Sequence, residues 1–258
     1  MINFFYEMNP ILQAFIASLI TFLVTVFGSS LVLFFKKINK NIMDALLGIS
    51  GGIMFAAAIF SLLLPSIEQA NNLGLLTIVV VPASILIGTI ILIFLNKLVE
   101  KKLVKNNGSK NVFLLIISII LHNIPEGLAI GVAFSSAKIL PSVSIASAIS
   151  LTIGIAIQNF PEGAAISIPL RRSGYSRMKS FIIGSLSGIV EVFAAIIGAI
   201  LVMKVTLVLP FFLSFAAGAM LYVVIEELIP ESQENTNHKT LIAYLTLVGF
   251  VLMMILEL

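Results

Sequence analysis

Long apolar segments alternate with short polar breaks along the whole chain. Cutting the sequence at these breaks gives eight candidate spans, at 10–35, 44–67, 74–96, 112–135, 145–170, 181–203, 210–230 and 240–257. Each span is long enough to cross the hydrocarbon core of a bilayer, which takes about 20 apolar residues. Backbone groups in lipid must be hydrogen-bonded within the chain, and the segments lack the strict alternation of a membrane barrel, so every span is predicted to be a helix.

Composition supports a membrane protein. Apolar residues make up 59% of the chain and charged residues only 10%, against the roughly 25% that is usual in soluble domains. So few charges cannot cover the surface of a soluble globule. We therefore expect one transmembrane domain over residues 1–258, an all-α membrane protein embedded in the lipid bilayer. Cysteine is absent, which excludes disulfides and thiolate metal sites.

The basic residues predict the orientation of the spans. Thirteen of the fifteen Lys and Arg residues fall in alternate loops, and only Lys138 and Lys204 lie on the other side. Loops rich in Lys and Arg stay in the cytoplasm, which places both termini outside. The basic clusters are explained as topology anchors, and no nucleic-acid site is predicted.

An internal repeat carries the chemistry of the chain. Residues 122–127 read HNIPEG in the fourth span, and residues 158–163 read QNFPEG in the fifth. Consecutive spans run in opposite directions, so the two copies are predicted to form an inverted repeat around central helices 4 and 5. A fainter pair, residues 51–54 and 217–220, suggests a second inverted pair in the second and seventh spans.

The spacing within each copy places its polar side chains on one helical face, because positions i, i+3 and i+4 are neighbours on a helix. Each proline also removes an amide donor, which predicts helix breaks at membrane depth and carbonyl groups in need of a partner. The two facing sets are His122, Asn123 and Glu126 in one copy and Gln158, Asn159 and Glu162 in the other.

Buried carboxylates are the strongest functional signal. An acidic residue at the bilayer centre costs roughly 2.5–3.5 kcal/mol on the insertion scale, and no Lys or Arg lies near these acids within the spans. Polar residues in helices can also simply join a bundle by hydrogen bonds. A cation pathway, however, explains all five acids together: Glu126, Glu162, Glu191, Glu226 and Glu227.

The donor types favour a divalent transition metal. One imidazole, several carboxylates and amide oxygens suit Zn²⁺, Fe²⁺, Mn²⁺, Co²⁺ and Cd²⁺, whereas Ca²⁺ and Mg²⁺ are disfavoured because imidazole is a poor ligand for them. Such an ion is expected as the transported substrate, and no cofactor is expected.

With these motifs the chain resembles the ZIP (Zrt/Irt-like) divalent-metal transporters, particularly their prokaryotic GufA-like branch. The resemblance covers the whole chain and rests mainly on the paired Asn-x-Pro-Glu-Gly motifs. It implies metal uptake, zinc above all, across the plasma or inner membrane into the cytoplasm, by a protein that forms homodimers. It also implies a binuclear centre made by the two motifs and completed by Glu191.

The resemblance assigns further residues to the transport path. The entrance would comprise Met54, Ser61, Glu68 and Glu257, the last standing where the family usually has Asp. The exit would comprise Glu226, Glu227 and, in the following loop, His238. Asn159 stands where several relatives have Asp, so the second metal position is expected to bind weakly.

Two other classes remain open from the residues alone. A divalent-cation-selective channel could use the same acids. An intramembrane serine protease is suggested by the string GISG at 48–51, for which His122 is the one candidate base in the spans.

Overall fold

The protein is described here by a computed structural model, which covers residues 6–35, 39–103, 110–139, 144–204, 209–234 and 238–257. All regular structure in these ranges is helical. The helices are α1 Pro10–Phe34, α2 Lys40–Ala57, α3 Leu64–Asn72, α4 Thr77–Leu103, α5 Lys110–Ile139, α6 Ile145–Arg172, α7 Arg177–Ser187, α8 Ile189–Lys204, α9 Leu209–Val223, α10 Ile229–Gln233 and α11 Lys239–Glu257. The π-helical segments Ala58–Leu63 and Val224–Leu228 join α2 to α3 and α9 to α10.

Six helical segments of the described chain are long and apolar enough to cross a membrane: Pro10–Phe34, Lys40–Asn72, Thr77–Leu98, Arg177–Met203, Leu209–Gln233 and Lys239–Glu257. Each overlaps one predicted span. The two motif helices, α5 and α6, are 30 and 28 residues long, but they are not among the six. Both helices are long enough to cross a bilayer. The chain is therefore an all-helical membrane protein with six candidate spans in the described residues.

Several helices extend beyond the predicted apolar boundaries. The second span was expected at 44–67, whereas its helical segment runs over Lys40–Asn72. Asn39 caps this helix by accepting a hydrogen bond from the Asn41 amide at 3.0 Å. Polar residues continue a helix outside the hydrocarbon layer, so hydropathy marks the membrane boundary and not the helix end.

The prolines of the motifs do not break their helices, so this expectation is wrong. α5 continues through Pro125, and α6 continues through Pro161 and Pro169. A proline removes one backbone hydrogen bond and can bend a helix without unwinding it. The main interruption of a predicted span lies elsewhere, at Gly188, where a turn separates α7 from α8.

The packing follows a two-fold pattern. The most extensive helix contacts pair α1 with α6 and α5 with α8, and likewise α2 with α11 and α4 with α9. In the second set, Gly52 lies against the Thr246 carbonyl and Gly218 against the Ile85 carbonyl, so closely that a Cβ at either glycine would overlap the oxygen. Both helices then pass into a π-helical segment. This agrees with the faint second pair in the sequence.

Candidate metal centre

The two motif helices turn their polar residues into the protein. Asn123 and Glu126 on α5 are buried, as are Gln158, Asn159 and Glu162 on α6, where even the most exposed, Glu162, is only 5% exposed. The side chain of His122 lies outside the described part of the structure. The other members of the two motifs thus share a buried face, as their spacing predicts.

A short hydrogen bond joins the two copies of the motif. Gln158 Nε2 donates to Glu126 Oε1 at 2.6 Å, which links α6 to α5. Asn159 Nδ2 donates to Glu191 Oε2 at 2.7 Å, which links α6 to α8. Both bonds end on a carboxylate, the stronger kind of acceptor. The structure therefore brings Glu191, a distant residue in sequence, to the motif residues.

The two asparagines are held in matching ways. Asn123 Nδ2 donates to the Ser187 carbonyl of α7 at 3.0 Å, and Asn159 Nδ2 donates to the Thr21 carbonyl of α1 at 3.3 Å. Each asparagine of the repeat thus binds the backbone of a neighbouring helix through its amide nitrogen. This fixes the direction of the amide oxygen.

The motif glycines let these neighbouring helices approach. A Cβ at Gly127 would overlap the Glu191 carbonyl oxygen of α8, and a Cβ at Gly163 would overlap the Thr25 carbonyl oxygen of α1. A side chain at either position would push the neighbouring helix away. The glycine that follows each motif glutamate is therefore required for the distances within the centre.

Four oxygens of the centre have no hydrogen-bond partner among the described residues, although they are buried. They are Asn123 Oδ1, Glu126 Oε2, Gln158 Oε1 and Asn159 Oδ1. In the described structure each amide directs its nitrogen to a protein acceptor and leaves its oxygen unpaired. Buried polar atoms normally have partners, so a group of unpaired acceptors requires a donor or a cation. These oxygens suit a cation because amide oxygens and carboxylates are metal ligands.

Three acidic side chains lie at the same place. Glu126, Glu162 and Glu191 are all buried, and none of them forms a salt bridge with a described residue. Among the described side chains, no three from Asp, Glu and His converge closely enough to hold a metal ion by themselves. Amide oxygens, and His122 if it reaches the site, would have to complete a coordination shell.

The predicted entrance residues are only partly brought together. Ser61 Oγ donates to Glu257 Oε1 at 2.8 Å, and Ser147 Oγ of α6 donates to Glu257 Oε2 at 2.9 Å. Met54 is buried in the apolar core and Glu68 is exposed, and in the described structure neither is hydrogen-bonded to Glu257. The structure thus brings Ser61 and Glu257 of the expected set together with Ser147, and their role as an entrance stays a prediction.

The predicted exit residues are less closely associated. Glu226 and Glu227 lie in the π-helical segment that follows α9, the first exposed and the second half-buried. Asn96 Nδ2 lies 3.5 Å from Glu227 Oε1, at the limit of a hydrogen bond. His238 is exposed. Their grouping along one path therefore remains a prediction.

Sequence reasoning missed the residues that support the acids. Thr21 donates to Glu191, Ser147 donates to Glu257, and the Ser187 carbonyl accepts from Asn123. Single Ser and Thr residues are common in apolar helices, so nothing in the sequence distinguished these positions. Only the packing of distant helices reveals them.

Comparison with known proteins identifies the family. The family model described as ZIP Zinc transporter matches residues 100–257. The zinc transporter ZIP11 of Xenopus tropicalis is 34% identical, in an alignment that covers 96% of this chain and 97% of the relative. The zinc transporter ZIPB of Bordetella bronchiseptica is 32% identical, with 92% of this chain and 77% of the relative covered. The zinc transporter GufA of Myxococcus xanthus is 31% identical, with coverage of 94% and 96%.

These relatives are named as transporters, and none of the matches supports the protease or the channel. The family resemblance of the paired motifs is thereby confirmed over almost the whole chain. The chain belongs to the ZIP zinc transporter family, a family of multi-pass membrane transporters that are not enzymes.

Proposed function

We propose that this protein carries divalent transition-metal ions, zinc above all, across the plasma or inner membrane into the cytoplasm. The observation that carries the proposal is the set of four unpaired, buried acceptor oxygens beside three buried carboxylates. In the described residues no cation of the protein itself neutralises these acids. A transported divalent cation would supply both the positive charge and the missing partners.

The proposed binding site consists of His122, Asn123, Glu126, Gln158, Asn159, Glu162 and Glu191. Carboxylate and amide oxygens together with one imidazole accept Zn²⁺, and also Fe²⁺, Mn²⁺, Co²⁺ and Cd²⁺. Asn159 is buried, donates from its amide nitrogen to Glu191, and carries no charge of its own. We therefore propose that one metal position binds tightly and the second weakly.

The proposed path runs through the membrane domain from outside to inside. Metal would enter past Glu68, Met54, Ser61 and Glu257 and leave past Glu226, Glu227 and His238. We propose that residues 1–258 form one domain of eight spans with both termini outside, α5 and α6 being the central pair. Their length and buried polar faces support this arrangement.

A homodimer is proposed from the family resemblance, and chemical crosslinking in native membranes would detect it.

The test of the transport proposal is uptake of radioactive Zn²⁺ into proteoliposomes, in competition with Fe²⁺, Mn²⁺, Co²⁺ and Cd²⁺. Wild type is compared with Glu126→Gln/Glu162→Gln, which keeps side-chain size and removes two charges. Glu234→Gln, a change at an exposed acid, is the matched control. Saturable uptake that only the double variant loses supports the proposal. Uptake that survives removal of both carboxylates contradicts it, and uptake that does not saturate indicates a channel.

A further inference from the structure

Thr21 of α1 contacts two groups of the candidate metal centre. The side chain is fully buried. Its hydroxyl donates to Glu191 Oε1 at 2.6 Å, and its carbonyl accepts from Asn159 Nδ2 at 3.3 Å. One residue of the first helix thus binds residues of α8 and α6 at once.

The second oxygen of Glu191 is also occupied, because Asn159 Nδ2 donates to Oε2. In the described structure Glu191 therefore has a donor on each carboxylate oxygen, whereas Glu126 has a donor on one oxygen only. A carboxylate oxygen has two lone pairs, so a metal can bind Glu191 while the Thr21 and Asn159 donors stay in place.

The Thr21 hydroxyl has a second acceptor within reach. Its oxygen lies 2.9 Å from the Ser18 carbonyl of the same helix. A hydroxyl has one hydrogen and can donate to only one acceptor at a time. Glu191 Oε1 is the closer acceptor, at 2.6 Å, and a carboxylate accepts more strongly than a carbonyl, so the hydroxyl donates to Glu191.

At the matching position of the other motif, the hydroxyl does not donate to a carboxylate in the described structure. Ser187 occupies the place of Thr21, because its carbonyl accepts from Asn123. Its hydroxyl, however, donates to the Gly184 carbonyl at 2.8 Å, within its own helical turn. In the described structure a helix hydroxyl therefore reaches a carboxylate on only one side of the centre.

We propose that Thr21 is a positioning residue, which orients Glu191 and Asn159 for metal binding and keeps its hydrogen bond to Glu191 when a metal binds. The inference rests on the proposed transport function. Its role is exerted through Glu191, since Thr21 itself donates to a ligand and does not need to touch the metal. Loss of groups that only hydrogen-bond to metal ligands typically weakens metal affinity about 10–100-fold.

The test compares Thr21→Val, Thr21→Ser and Thr25→Val in the zinc uptake assay. Valine keeps the shape of threonine and removes the hydroxyl, whereas serine keeps the hydroxyl. Thr25 is the matched control, because it is buried on the same helix and its hydroxyl donates only to the Thr21 carbonyl, at 3.3 Å. We expect Thr21→Val to raise the KM for Zn²⁺ about tenfold with a nearly unchanged maximal rate. Thr21→Ser and Thr25→Val should retain the wild-type KM.

Equal KM values for Thr21→Val and Thr25→Val would overturn the inference, as would a Thr21→Ser variant as defective as Thr21→Val. If Thr21→Val does not insert into the membrane, Thr21→Cys takes its place, because cysteine is similar in size and keeps a weak donor. Its KM for Zn²⁺ should rise less than that expected for Thr21→Val. A wild-type KM for Thr21→Cys also overturns the inference. The proposed function fails separately, if wild type takes up no metal or if Glu126→Gln/Glu162→Gln transports normally.

Discussion

Two acidic sites of this protein, one buried and one partly buried, differ in how their oxygens are satisfied. At the centre between α5, α6 and α8, four acceptor oxygens have no donor among the described residues. At the predicted entrance, Glu257 accepts one serine hydroxyl on each oxygen, from Ser61 and from Ser147. The first site lacks partners that a cation would provide, and the second is complete without one. The difference supports the proposal that the centre binds the ion and that Glu257 contacts it only in passing.

The largest expected effect comes from removing a charge at each site in turn. Glu126→Gln should lower kcat/KM for zinc uptake more than about 100-fold, because loss of groups that merely hydrogen-bond to ligands already costs about 10–100-fold. Glu257→Gln should lower it less than about tenfold, since an amide can both accept from one serine and donate to the other. Similar losses in both variants would remove the distinction between the sites.

Acidification should act mainly through the centre. Carboxylates and imidazole bind metal only when deprotonated, so protons compete with the metal and uptake weakens as the pH falls. Between pH 7.5 and 5.5, a range that includes the usual imidazole pKa of about 6.5, we expect uptake at subsaturating Zn²⁺ to fall about tenfold. Initial rates in proteoliposomes buffered equally on both sides measure this. Uptake that instead decreases with rising pH over this range would contradict metal binding by these groups.

Charge at Asn159 should change the number of metal ions bound. Asn159→Asp replaces the donor to Glu191 by a second carboxylate, and two adjacent buried carboxylates repel each other unless a cation or a shared proton lies between them. Purified wild type in detergent should bind one tight Zn²⁺ per chain, and the variant two, by elemental analysis after dialysis. Asn41→Asp, at an exposed asparagine, is the control. If wild type binds two tight Zn²⁺ ions per chain, the amide of Asn159 does not weaken binding at the second metal position.

The sequence predicted the elements of this fold better than their details. Apolar runs predicted the spans because lipid requires long apolar helices, and the spacing of Asn123 and Glu126 predicted a shared face because helical geometry is fixed. Each π-helical segment is followed within two residues by a proline, Pro65 or Pro230, which cannot donate to the preceding turn, so the local pattern does mark these segments. The break at Gly188, by contrast, packs against Thr25 of α1, a contact that a local pattern does not contain. The same holds for Thr21 and Ser147, whose acceptors Glu191 and Glu257 are far away in sequence. The proline rule failed because a helix tolerates one lost hydrogen bond.

The smallest expected effect concerns the serines that hold Glu257. Ser61→Ala/Ser147→Ala leaves the carboxylate without its two donors and removes the hydrogen bond between α11 and α6. If passing contact with the ion costs Glu257 one of these bonds in each cycle, their removal should raise the maximal uptake rate about twofold to threefold while zinc affinity at equilibrium stays unchanged. The matched control is Ser84→Ala/Ser136→Ala, whose hydroxyls donate only to carbonyls of their own helices, at 2.6 Å each. If the equilibrium affinity for zinc changes more in this variant than in the control, Glu257 is part of the binding site. The two acidic sites would then differ only in degree.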